Sequence, residues 1–178
     1  MRLMVYFWGM KRHFILFAVV TTVAFVAQFC IKPPDYPDTP EIIFTGLSKT
    51  VMQQGSSKGD SVTISFSYTD GDGDLGYPKS DTTTSVFVRD NRDSFVKFRY
   101  KLPYVDPQGA GNGISGQISI VIPTSCCIFE TPEGIKLACE NVPPSFQYDT
   151  LYYFIQIRDR AGNISNEIKA GPIGLKCQ

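Results

Sequence analysis

The sequence predicts an all-β sandwich of seven to eight strands, preceded by an N-terminal signal or anchor helix. Three observations carry that prediction. Several short runs alternate apolar and polar residues, the pattern of strands with one buried and one wet face. Gly, Pro, Asn and Asp punctuate the chain between those runs. After residue 30 no stretch has the spacing of an amphipathic helix.

The first element is apolar. Residues 1–29 carry Arg2, Lys11 and Arg12 and no acid, and residues 14–27 read FILFAVVTTVAFVA without a charge. A basic start followed by a short apolar run is a signal segment, too short for a confident membrane span. Cys30 follows directly, as the lipidated first residue of a bacterial lipoprotein would, although Phe29 stands where a small residue is preferred. The alternative is an uncleaved anchor from residue 14 to about 31. Residues 30–40, with four prolines after Ile31, form an extended tether. The sandwich is expected over 41–178.

Within that domain, 41–47 is the first strand and 52–60 a polar turn. Residues 60–68 alternate cleanly, with Val62, Ile64, Phe66 and Tyr68 on the buried side. Strands follow at 84–89 and 95–101, the second with Lys97, Arg99 and Lys101 as an ordinary wet stripe. Residues 103–116 are a glycine-rich loop, 117–122 a strand and 123–146 a long loop bearing cysteines. Residues 149–159 are a strand with Leu151, Tyr153, Ile155 and Ile157 inward. Asp159-Arg160-Ala161-Gly162-Asn163 is a turn, and the last strands lie near 164–168 and 173–177.

Between two strands sits Asp70-Gly71-Asp72-Gly73-Asp74-Leu75-Gly76, followed by Asp81. Alternation with glycine crowds three carboxylates together, and a hard cation would relieve their repulsion. Oxygen-only donors point to Ca²⁺. Counted from Asp70, acids fall at positions 1, 3, 5 and 12, as in an EF-hand loop, but Leu75 replaces the expected glycine. Asp-Gly repeats also make hairpin turns with no metal.

Cys126, Cys127, Cys139 and Cys177 suggest two disulfides in an exported chain. A bond between the vicinal pair would be strained, so Cys139 is expected to join one of them and Cys177 the other. From Cys30 onward the chain has 14 basic and 17 acidic side chains, which gives no support to nucleic-acid binding. The only histidine, His13, and the only tryptophan, Trp8, lie in the signal segment. Histidine-based nucleophilic catalysis and histidine-ligated zinc are thereby excluded from the domain, and no enzyme is expected.

Several of these features together resemble a family of small envelope lipoproteins of Bacteroidota-type bacteria. They are Lys32-Pro33-Pro34-Asp35-Tyr36-Pro37, the 69–76 acidic loop, the glycine-rich 109–116 segment, Cys126-Cys127 and the 159–163 turn. The resemblance implies an outer-membrane lipoprotein, held to the membrane through its lipid and facing the periplasm or the cell surface. The Asp-x-Ala-Gly-Asn turn is also similar to one in bacterial Ig-like and cadherin-like domains, where acids at strand ends bind Ca²⁺. That similarity implies an Ig-like sandwich in which Asp159 joins the Asp70 cluster. The function expected is a structural or protein-interaction module. The alternative is a carbohydrate-binding module using Tyr36, Tyr77 and Tyr104 as stacking rings.

Overall fold

The computed structural model describes residues 35–55, 59–93, 95–106 and 113–177, within one compact unit, Pro34–Gln178. The signal segment, Cys30 and the start of the tether lie outside the described residues. The fold is all-β, as the alternation predicts. It contains β1 (Glu41–Leu47), β2 (Val51–Gln53), β3 (Ser61–Asp70), β4 (Val86–Asp90) and β5 (Val96–Tyr100). These are followed by β6 (Ile114–Pro123), β7 (Ile128–Glu130), β8 (Lys136–Ala138), β9 (Tyr148–Ile157) and β10 (Ile168–Lys176). No helix among these residues is long and apolar enough to cross a membrane.

Two sheets face each other across one core. The first has the order β1-β3-β6 and the second β2-β10-β9-β4-β5, while β7 and β8 pair as a separate hairpin. β1 runs antiparallel to β3, yet β2, just after it, lies parallel to β10 in the other sheet. The chain thus crosses between sheets within residues 48–50. Val62, Ile64 and Phe66 on β3 meet Leu151, Tyr153, Ile155 and Ile157 on β9, all fully buried. Each such apolar side chain contributes roughly 1.5–3 kcal/mol on burial.

Ten strands replace the seven to eight expected. Three-residue β2 overlaps the segment read as a turn, and the β7–β8 hairpin lies in the long loop. The two terminal strands expected at 164–168 and 173–177 are one strand, β10, interrupted by a bulge between Ala170 and Ile173. Ile164 makes an isolated bridge to Arg158 instead.

The sulfur pairing is Cys126 with Cys139 and Cys127 with Cys177, at Cα separations of 4.8 and 5.7 Å. The vicinal residues therefore take different partners.

Candidate metal centre

β3 ends at Asp70, which lies on the same side of the strand as the buried Val62, Ile64 and Phe66. Asp70 is fully buried, although it is an acid. Its Oδ2 accepts the Asp74 N–H at 2.9 Å, closing a tight turn. Its Oδ1 is buried and receives no hydrogen bond. An isolated buried carboxylate oxygen is expensive, because water is lost and nothing replaces it.

The glycines of the loop have local reasons to be there. Gly71 donates its N–H to the Pro37 carbonyl at 2.7 Å. A Cβ at Gly71 would stand 2.3 Å from the Tyr36 carbonyl oxygen. Gly76 has φ 75° and presses against the Pro103 carbonyl, where a side chain has no room. The Asp-Gly alternation is thus partly a packing requirement, independent of any ligand.

Asp159 comes from the other sheet, two residues past the end of β9, and is fully buried. Its Oδ1 accepts the N–H groups of Gly162 and Asn163 at 2.6 and 2.7 Å, and its Oδ2 accepts Asn163 Nδ2 at 2.8 Å. Asp74 reaches the same turn: its Oδ2 accepts the Ala161 N–H at 2.8 Å, and its backbone carbonyl accepts the Arg160 N–H at 3.3 Å. One carboxylate oxygen from each of Asp70, Asp74 and Asp159 lies within 4.8 Å of the others. The two loop ends predicted to meet do meet.

The electrostatics are those of crowded acids. Burial, and then the charges of Asp72, Asp74 and Asp159, push the Asp70 carboxyl up from 3.8 to about 7. Burial, with Asp159 and Asp72, also pushes Asp74 up. No basic side chain among the described residues forms an ion pair with any of the three. Arg160 lies beside them but spends its guanidinium on the carbonyls of Leu75 and Gly76, at 3.1 and 3.0 Å.

Two expected ligands stand apart. Asp72 is exposed and is not one of the three converging groups, though its charge acts on Asp70 and Asp74. Asp81 requires a correction. Its Oδ1 accepts the Thr83 N–H at 2.7 Å, its carbonyl accepts from Lys101 Nζ, and it takes no part in the cluster. The EF-hand count fails there because the chain leaves the loop after Gly76, where Tyr77 bridges to Pro103.

The rings considered for sugar stacking are largely engaged. The Tyr77 hydroxyl donates to the Asp159 carbonyl at 3.1 Å, and the Arg160 guanidinium lies 4.8 Å above the Tyr104 ring. Arg160 escaped the sequence reading because an arginine in a turn has no distinguishing spacing. Comparison with protein-family models, with curated proteins and with solved structures finds no match.

Proposed function

We propose that this chain is a membrane-tethered lipoprotein of the cell envelope that acts by contact, as a structural or protein-interaction module. In this reading Ca²⁺ clamps one end of the sandwich through Asp70, Asp74 and Asp159. One observation carries the cation clamp: Asp70 Oδ1 is buried, unpartnered and gathered with Asp74 of its own loop and Asp159 from the turn after β9. A divalent cation supplies the missing partner and cancels the repulsion at once. The donors are all oxygen, which suits Ca²⁺ rather than a transition metal.

Two further features support the placement and the lack of chemistry. Two disulfides suit an oxidising compartment. The buried acids converge on one point, whereas glycoside hydrolysis needs two carboxyl groups facing each other about 5–9.5 Å apart across a cleft.

The test is a thermal melt of the full chain in neutral detergent, with Ca²⁺ and with chelator. A cation bound only by the folded state at about 100 times its dissociation constant adds about 2.7 kcal/mol. The melting temperature is therefore expected to rise in Ca²⁺. Asp70→Asn, which keeps the shape and removes the charge, is expected to abolish that rise and to melt higher than the parent in chelator. Equal melts of the parent in the two buffers would remove the metal from the reading.

A further inference from the structure

The outward face of the five-stranded sheet carries cations laid on aromatic rings. Cross-strand register builds it. Phe87 on β4 stands opposite Arg99 on β5 and Gln156 on β9, while Arg89 on β4 and Lys169 on β10 flank Phe154 on β9. The guanidinium carbons of Arg99 and Arg158 each lie 5.3 Å from the centroid of the one Phe87 ring. Arg89 lies 5.0 Å above Phe154, and Lys169 Nζ lies 3.8 Å above Tyr152. Four cations thus rest on three rings across four adjacent strands.

Their acids are few. Arg89 pairs with Glu167 at 2.6 Å. Among the described residues, Arg99, Arg158 and Lys169 pair with no carboxylate. The basic stripe visible along β5 is mostly engaged: Lys97 pairs with Asp93, and Lys101 donates to the carbonyls of Pro78 and Asp81, whereas Arg158 makes one long bond, from Nη2 to the Thr84 carbonyl at 3.4 Å. The charge that remains runs across the sheet, not along one strand, so it is invisible to a reading of single strands.

We infer that this face binds an acidic polysaccharide, a chain of carboxylate-bearing sugars, with Arg99, Arg158 and Lys169 as its contacts. Charge complementarity argues for a polyanion. From Cys30 onward acids outnumber bases, 17 to 14, so net charge gives the chain no general attraction for a polyanion and this face is a local exception. Stacking on a ring fixes a guanidinium in advance and leaves N–H donors that match a carboxylate two at a time. A five-stranded sheet is twisted, so a flexible polymer follows its face where a flat bilayer touches part of it. Phe87 and Phe154 lie under their cations and offer no apolar anchor for lipid. This surface differs from the acid cluster in place and chemistry, and the inference does not depend on Ca²⁺.

The experiment is surface-plasmon binding of the full chain, in neutral detergent, to hyaluronate, to neutral dextran and to phosphatidylglycerol micelles, each with Ca²⁺ and with chelator. Hyaluronate is expected to be held and dextran not. Raising the salt from about 50 mM to about 500 mM should weaken the binding at least tenfold, by screening. The triple variant Arg99→Gln, Arg158→Gln, Lys169→Gln should weaken it tenfold or more, while Lys97→Gln leaves it unchanged. Lys169→Gln alone, at an exposed position, should weaken it about threefold, and it provides the reading if the triple variant fails to fold. Absence of hyaluronate binding would overturn the inference. So would a folded triple variant, or Lys169→Gln, that binds like the parent, equal or tighter binding to the lipid micelles, or binding lost in chelator.

Discussion

Asp70 occupies the last pair of β3, where its carboxylate meets Asp74 and Asp159 in place of water. Its ionisation therefore sets a pH dependence with a definite sign. The folded-state value, about 7, stands above the ordinary 3.8, so between those values the folded chain holds a proton that the unfolded chain has released. That contribution is complete below about pH 4 and is lost as the pH rises through about 7. Asp72, Asp74 and Asp159 act on it in the same direction, and the nearby Arg160 is committed to backbone carbonyls. In chelator, the urea midpoint is accordingly expected to fall between pH 5 and pH 8, and excess Ca²⁺ to remove most of the fall. A midpoint that rises over this range in chelator would show that Asp70 is not crowded by acids. Asp70 and Asp74 were legible from their spacing, and Asp159 from its turn. Asp81 was misread because a linear count assumes one continuous loop, and burial of Gly76 against Pro103 turns the chain away first.

At the scale of elements, periodicity located the long strands and missed the short ones. β3 and β9, ten residues each, show several full alternations. β2, β7 and β8 have three residues each, too few for a period to emerge. β10 reads as two strands in the sequence, whereas the structure carries one strand through Pro172 with a bulge between Ala170 and Ile173. The β4–β5 turn hides a further element-level device. Arg92, between β4 and β5, is nearly buried. It donates to Asp90, to Asp149 Oδ2 at 2.7 Å, to Ser125 Oγ at 2.8 Å and to the Cys126 carbonyl at 2.9 Å. It thereby ties the turn between β4 and β5 to β9 and to the cysteine segment. Asp90 is about 1% exposed, so removing Arg92 strands a buried charge. Arg92→Leu is expected to destabilise the fold by about 3–5 kcal/mol in urea unfolding, as loss of one partner of a buried pair does. Arg92→Lys should recover little of this, since a point charge cannot serve four separated acceptors. A loss below about 1 kcal/mol for Arg92→Leu would mean that water replaces the guanidinium.

At the largest scale, the described sandwich is closed differently at its two ends. β3 runs from Ser61, which pairs with Pro123 just before the cysteine segment, to Asp70 in the acid cluster. Ten residues of strand at about 3.3 Å each separate the ends by about 30 Å. At one end, the Cys127–Cys177 disulfide holds the cysteine segment to the residue that follows β10, and Cys126–Cys139 closes that segment on itself. At the other, carboxylates from both sheets converge and repel. The sequence displayed both sets of residues, but which end each occupied depends on strand register, which no local pattern encodes. Distance makes the two closures independent in energy. The Cys127–Cys177 bond spans 50 residues of sequence, and removing it should cost about 4 kcal/mol by loss of chain constraint. Sites this far apart, with no shared partner, add to within about 0.5 kcal/mol. The increment from Ca²⁺ in urea unfolding is therefore expected to be the same in the parent and in the variant Cys127→Ser, Cys177→Ser. An increment that shrinks by more than about 1 kcal/mol in the variant would show that the core transmits strain from the disulfide end to Asp70, and that the two ends act as one switch.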